Sequence, residues 1–203
     1  MNYHNPHPPT RLPRVMSPPE VRKILETTDD ANDRYAPRDS AILHTLYSTG
    51  CRSAEICGIT IDRLDLENSR VHIVGKYKRE RFAFLTPQAV TAIETWIQLR
   101  RRWAGPHSYL FVNLPSGAPL AGRVLRYIVA ERGRAALGDY FPVHPHMFRH
   151  SCATHLVDGG ADLSDVARIL GHASLDSTLV YLHTAPTRLA AVHAQFLPDH
   201  TEK

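Results

Sequence analysis

An α+β fold, mainly helical with one small antiparallel β-sheet in a single domain, is what this sequence predicts, on three observations. Apolar residues recur at three- and four-residue spacing in several stretches that open on a capping residue and close on glycine. One pair of short runs rich in β-branched and aromatic residues flanks a polar, lysine-rich tip. The 203 residues, 43% of them hydrophobic, suffice for one sizeable core and are cramped for two.

Residues 1–13, MNYHNPHPPTRLP, hold four prolines and no apolar period, so a flexible leader or linker remnant is expected there. Folded structure begins at SPPE (17–20). Ser17 is the N-cap, Pro18 the first helical position and Glu20 the partner in a capping box, with Val21, Ile24 and Leu25 on one face. A second helix is expected over 38–48, capped by Asp39, with Ile42, Leu43, Leu46 and Tyr47 at helical spacing and Gly50 as its stop. CRSAEICGI (51–59) resumes helical character, which sets Arg52 at a helix-to-helix junction.

RVHIV (70–74) and RFAFL (81–85) are the strands of the hairpin, with GKYKRE (75–80) between them. Thr86 and Pro87 open a long helix that turns Val90, Ile93, Trp96 and Ile97 inward and ends in RRRW (100–103), read as a solvated helix end or a DNA contact. YLFVN (109–113) reads as a short strand and SGAP (116–119) as a turn, after which Val124, Leu125, Ile128 and Val129 mark another helix. From His146 onward three short helices are expected. The first carries Phe148, Cys152 and Leu156 and stops at Gly159 and Gly160, the second runs from Asp162 to Leu170, and the third starts near Ser174 or Asp176; residues 198–203 form a tail.

Net charge is +4, a moderate excess that fits a polyanionic partner. Of the 24 cationic residues 20 are arginine, whose fork suits phosphate oxygens, although a GC-rich genome gives the same bias without functional meaning. Three cysteines, Cys51, Cys57 and Cys152, without CxxC spacing indicate neither a disulfide framework nor a thiolate zinc site. No 18-residue apolar run or signal segment is present, so no membrane association is expected and the chain is placed in the cytoplasm.

HPHMFRH (144–150) raises the question of chemistry, because it crowds three histidines and an arginine into seven positions. A metal site would use the imidazoles, but there is no HExxH, no acidic residue among them, and Arg149 would put a fixed positive charge beside the cation. An anion site uses the residues better. His146 and Arg149, three apart, share a helix side, and Arg52, Lys76 in the hairpin and His172 add donors. Beside several cations the phenolate of Tyr181 is favoured, which makes it a candidate nucleophile. Singly, each also has a plain structural reading: Arg52 as a helix-end cap or a pair for Glu55, His172 as core filling near a glycine turn, Tyr181 as amphipathic packing.

Taken together the segments resemble the tyrosine recombinases, the phage-integrase and Xer group of DNA-breaking and rejoining enzymes. LYSTGCRSAEI is similar to the segment of the first catalytic arginine, VGKYKRERFAFL to the β-hairpin with the catalytic lysine, and HPHMFRHSCATHL to the His-x-x-Arg box. ILGHASLDSTLVYLH supplies His172 and, nine residues on, Tyr181, and the match runs from about Leu12 to His193.

The resemblance implies that residues 14–197 form a DNA breaking-rejoining catalytic domain. It implies that Arg52, Arg149 and His172 clamp the scissile phosphate, that Tyr181 attacks it to form a 3′-phosphotyrosyl link, that Lys76 protonates the leaving 5′-hydroxyl and that His146 assists the tyrosine's proton transfer. Glu55 and His150 are expected as supports for the arginines, and Lys78, Arg79 and Arg81 as DNA contacts from the hairpin. Neither a cofactor nor a metal is called for. The partner is double-stranded DNA, with a homotetramer formed on it and the segment RLAAVHAQF (188–196) packing on a neighbouring protomer.

Tyr77, Phe148 and Cys51 depart from residues common among relatives without reaching the chemistry. A larger departure is that the N-terminal DNA-binding domain of most relatives is expected to be absent, either because the chain is a naturally short recombinase, as the fimbrial phase-variation invertases are, or because it is a fragment or remnant whose DNA-binding half has been lost. A catalytically silent DNA-binding remnant and a type IB topoisomerase-like enzyme remain the rival readings.

Overall fold

In the computed structural model the described residues are 14–75 and 80–171, and they hold seven α-helices, one 3-10 turn and a three-stranded sheet. The α+β class is therefore as expected. The segments 1–13 and 198–203 and the third C-terminal helix lie outside the described residues.

Helix α1 (Pro18–Glu26) starts as its sequence dictates: Ser17 N and Oγ both donate to Glu20 Oε2, at 2.7 and 2.8 Å. Helix α2 (Ala36–Thr49) begins two residues earlier than expected, with Pro37 in its first turn, and Asp39 does not cap it. Asp39 is instead buried, with Arg38 on one carboxylate oxygen and Arg132 on the other, each at 2.7 Å. A capping residue must face the open end of the helix, and Asp39 lies one turn in, where two cations compensate its charge.

Helix α2 ends on Gly50, whose left-handed φ of +57° closes the last turn with a bond from its N–H to Leu46 O. A Cβ on Gly50 would fall inside contact distance of Leu170 Cδ2, so space as well as backbone selects glycine there. Helix α3 (Ser53–Cys57) follows directly.

Strands β1 (Leu64–Asp65), β2 (Arg70–Val74) and β3 (Glu80–Phe84) pair antiparallel in the order β1-β2-β3, and β1 was not foreseen. The register sets Val71 opposite Ala83 and Ile73 opposite Arg81, and period-two alternation sends these four toward the core side. Phe82 and Phe84 face outward, about half exposed.

Thr86 caps helix α4 (Pro87–Arg100), accepting from Ala89 N, and Trp96 donates to Leu110 O at 2.9 Å. The first arginine of RRRW is not solvated. Arg100 is buried and donates to Tyr109 O at 2.8 Å and His107 O at 2.8 Å, fastening the helix end to the next loop. YLFVN forms no regular strand. Its backbone is shared between Ile59 on one side and Leu120 on the other, so only isolated bridges form, while Leu110, Phe111 and Val112 fill the core.

Helices α5 (Gly122–Leu137), α6 (Pro145–Asp158) and α7 (Leu163–Leu170) complete the described fold, with Asp162 capping α7 through Ser164 N. Helix α6 is the central one: Met147, Phe148, Ser151, Cys152, Ala153 and Val157 are all buried, and it packs against α2, α5 and α7. The incoming chain is tied to it by Met16 N donating to Ser151 Oγ at 2.9 Å. No helix among the described residues is long and apolar enough to cross a membrane.

Two outcomes follow. Gly50→Ala is expected to destabilise the fold by roughly 2–4 kcal/mol, from a strained left-handed backbone plus the clash with Leu170, read by urea denaturation. Burial pushes the Asp33 carboxyl up, but bonds from Tyr35 N–H and Arg132 outweigh it and hold the group below its ordinary 3.8. Its stabilising charge is therefore fully present above pH 3.8 and lost as pH falls through the lower folded value. Unfolding free energy measured from pH 6 to about 2.5 should decline at the acid end, and less steeply in Asp33→Asn.

Candidate active site

Arg52 owes its position to a tight sequence of constraints. Gly50 turns the chain out of α2, Cys51 is buried, and Arg52 adopts extended backbone (φ −72°, ψ 155°) as the residue that opens α3. Its N–H donates to Glu55 Oε2 at 2.9 Å and its Nη1 to Glu55 Oε1 at 3.1 Å. The arginine side chain is still 44% exposed, whereas that of Glu55 is 5% exposed. Burial pushes the Glu55 carboxyl up, but the Arg81 hydrogen bond, the Arg52 N–H and the two guanidinium charges together hold it below its ordinary range. Glu55 is thus an anion that braces Arg52 from beneath.

Arg149 stands on the central helix α6 and is 5% exposed. Its Nη1 donates to Gly50 O at 2.6 Å and its Nη2 to Leu170 O at 2.9 Å. These carbonyls lie at the C-terminal ends of α2 and α7, both closed by left-handed glycines, Gly50 and Gly171. Helix C-termini carry partial negative charge, so a guanidinium between two of them is compensated although buried. The bond to Gly50 also sets Arg149 beside the turn that carries Arg52, two residues on.

His144 and His146 are exposed at the start of α6, their ring centroids 6.4 Å apart. His150, half-buried one residue after Arg149, has its imidazole held below the ordinary range first by burial, then by the charges of His146, Arg149 and His144. It is therefore neutral at neutral pH, offering one donor and one acceptor.

Arg81 departs from expectation. It was expected to reach DNA from the hairpin, but it shares the inward face of β3 with Ala83, and its side chain is 14% exposed. It donates to both Glu55 oxygens, at 2.9 and 3.3 Å, and its Nε donates to Ile169 O at 3.3 Å. The period of two was the signal: a residue two before an inward Ala83 also points inward. Lys76, Lys78, Arg79, His172 and Tyr181 lie outside the described residues.

The structure thus gathers Arg52, Glu55, Arg81 and Arg149 around one junction, with His146 and His150 on the helix of Arg149. Such an array suits an anion. Among the described residues no group of three or more His, Cys, Asp or Glu is placed to hold a metal ion. The Cys51 and Cys152 thiols, pushed up by burial to about 11 and about 12, are neutral and poor nucleophiles. A groove of about 620 Å³ lined by Asp29, Asp33, His44, Gln88 and Thr91 contains none of the junction residues.

The sequence and the fold both match known proteins. The profile of the phage integrase family matches residues 14–188. The chain is 37% identical over 188 residues to tyrosine recombinase XerC of Corynebacterium efficiens, covering 92% of this chain and 59% of that protein. It is 34% identical to XerC of Bacillus subtilis, covering 98% and 66%. Among solved structures, the XerA recombinase superposes with a TM-score of 0.80 at 26% identity, over 97% of this chain and 68% of that one. XerH bound to its palindromic difH substrate after cleavage does so with 0.79 at 28% identity, over 90% and 53%. The chain spans about three-fifths of the length of the XerC relatives it matches. With a family profile over most of its length, these relatives and the helix-plus-hairpin fold in common, the chain belongs to the phage integrase family of tyrosine recombinases.

Proposed function

We propose that this chain is a site-specific DNA recombinase that cleaves and rejoins strands through a 3′-phosphotyrosyl intermediate at Tyr181. The observation that supports the reading is the bond from Arg149 Nη1 to Gly50 O, two residues before the exposed Arg52, which sets the two arginines at one junction; in this reading both serve one phosphate. XerH, similar over most of this chain, is a site-specific recombinase bound to its difH substrate.

In this reading residues 14–197 are the catalytic domain. Arg52, Arg149 and His172 hold the non-bridging oxygens of the scissile phosphate. The Tyr181 phenolate attacks phosphorus, the bond to the 5′-oxygen breaks, and Lys76 gives that oxygen its proton. His146 takes the phenol's proton and returns it on religation. A 5′-hydroxyl from another strand reverses the step, so bond energy is conserved without ATP, cofactor or metal. Lys78 and Arg79 contact DNA from the hairpin tip, and His150 supports Arg149. Four copies assemble on double-stranded DNA, with residues 188–196 of each packing on a neighbour.

Incubating a nicked suicide substrate with the protein in EDTA should give a covalent adduct on a denaturing gel, absent with Tyr181→Phe. A native-gel shift without adduct would favour a silent DNA-binding protein instead. Arg149→Lys keeps the charge but loses the planar fork, so adduct formation should slow by about 100-fold or more with DNA binding nearly unchanged, followed by quenched time courses on saturating DNA.

A further inference from the structure

We infer that Arg81 is a positioning residue of this site, holding Arg52, the base of the hairpin and the end of α7 in one fixed arrangement. This rests on the recombinase reading above. Arg81 is the second residue of β3, just after the loop that contains Lys76, and its cross-strand partner Ile73 lies three residues before that lysine. Its backbone therefore belongs to the base of the hairpin.

Its side chain reaches two other elements. Nη2 and Nη1 take the two Glu55 oxygens of α3, at 2.9 and 3.3 Å, and Nε takes Ile169 O in the last turn of α7 at 3.3 Å. The fit at α7 is close: a Cβ on Gly171 would lie 2.9 Å from Arg81 Cδ. His172 is the next residue in sequence. One guanidinium thus joins three elements that lead into Arg52, Lys76 and His172.

The sharing of Glu55 gives the joint a chemical consequence. Arg81 grips the carboxylate with both terminal nitrogens, and Arg52 has one side-chain bond to it, at 3.1 Å through Nη1. A carboxylate already engaged by the inner arginine holds the outer one in place without neutralising it, which leaves Arg52 open to a phosphate. Without Arg81, the Glu55 charge would fall on the Arg52 guanidinium alone and draw it off the substrate.

The test is the intact protein with Arg81→Gln and, to keep a charge toward Glu55, Arg81→Lys. Expected for Gln is a 10- to 100-fold slower single-turnover formation of the Tyr181 adduct at saturating DNA, with Kd within about twofold and an unchanged salt slope. Lys should recover part of the rate, and Arg81→Gln/Glu55→Gln should be no slower than Arg81→Gln. Amide hydrogen exchange, which needs no activity, should speed up together in α3 and the end of α7. Full-rate cleavage with unchanged exchange would overturn the inference. So would weaker binding with a salt slope reduced by about one at unchanged saturating rate, the mark of a direct phosphate contact. A wild type that binds DNA but forms no adduct would refute the recombinase reading, and exchange would then decide on Arg81 alone.

Discussion

The fold turns on a buried guanidinium held by two helix ends. Arg149 carries a full charge into the interior, where it is tolerable only if oxygens compensate it, and the C-terminal carbonyls of α2 and α7 do so. This one side chain therefore ties α2, α6 and α7 together at the point where they converge. It also explains why both α2 and α7 end on left-handed glycines, since each helix must stop with its last carbonyls turned toward the same point. Leu170 packs into the space that the missing Cβ of Gly50 leaves open, so the apolar and polar halves of the junction depend on each other.

Around that point the charges are layered. Innermost is Arg149 on neutral carbonyls; next comes Glu55, kept ionised by Arg81 and Arg52; outermost is Arg52, 44% exposed. Apart from Arg149, which anchors the junction and in the proposed reading also meets the phosphate, the layering separates the arginines that build the fold from those that can meet an anion. Arg38, Arg81, Arg100 and Arg132 are all turned inward on carboxylates or carbonyls, so the excess of arginine over lysine serves internal bracing as well as any polyanion. A net charge of +4 conceals this division.

Much of the architecture was legible because its causes are local. The box at Ser17 and Glu20, the cap at Thr86, the stops at Gly50 and Gly159 and the alternation in RVHIV each involve residues within one or two turns of each other. The misreadings share the opposite character. Asp39 looked like a cap until Arg132, 93 residues away, claimed it, and Arg100 looked like a solvated helix end until the carbonyls of the following loop surrounded it. YLFVN had the composition of a strand, but its backbone is divided between Ile59 and Leu120 and forms only isolated bridges.

The sequence by itself determined the α+β class, the capped helices, the hairpin and the order of the candidate site residues from Arg52 to Tyr181, since these follow from periodicity, caps and motif spacing along the chain. Only the tertiary structure decided which arginine faces outward and which becomes a brace. Arg149 found its anchors 99 and 21 residues away, and Arg81 found Glu55 at a separation of 26. A buried charge takes whatever oxygens the packed helices bring to it, and that choice is written in the packing of distant segments, which no local pattern records.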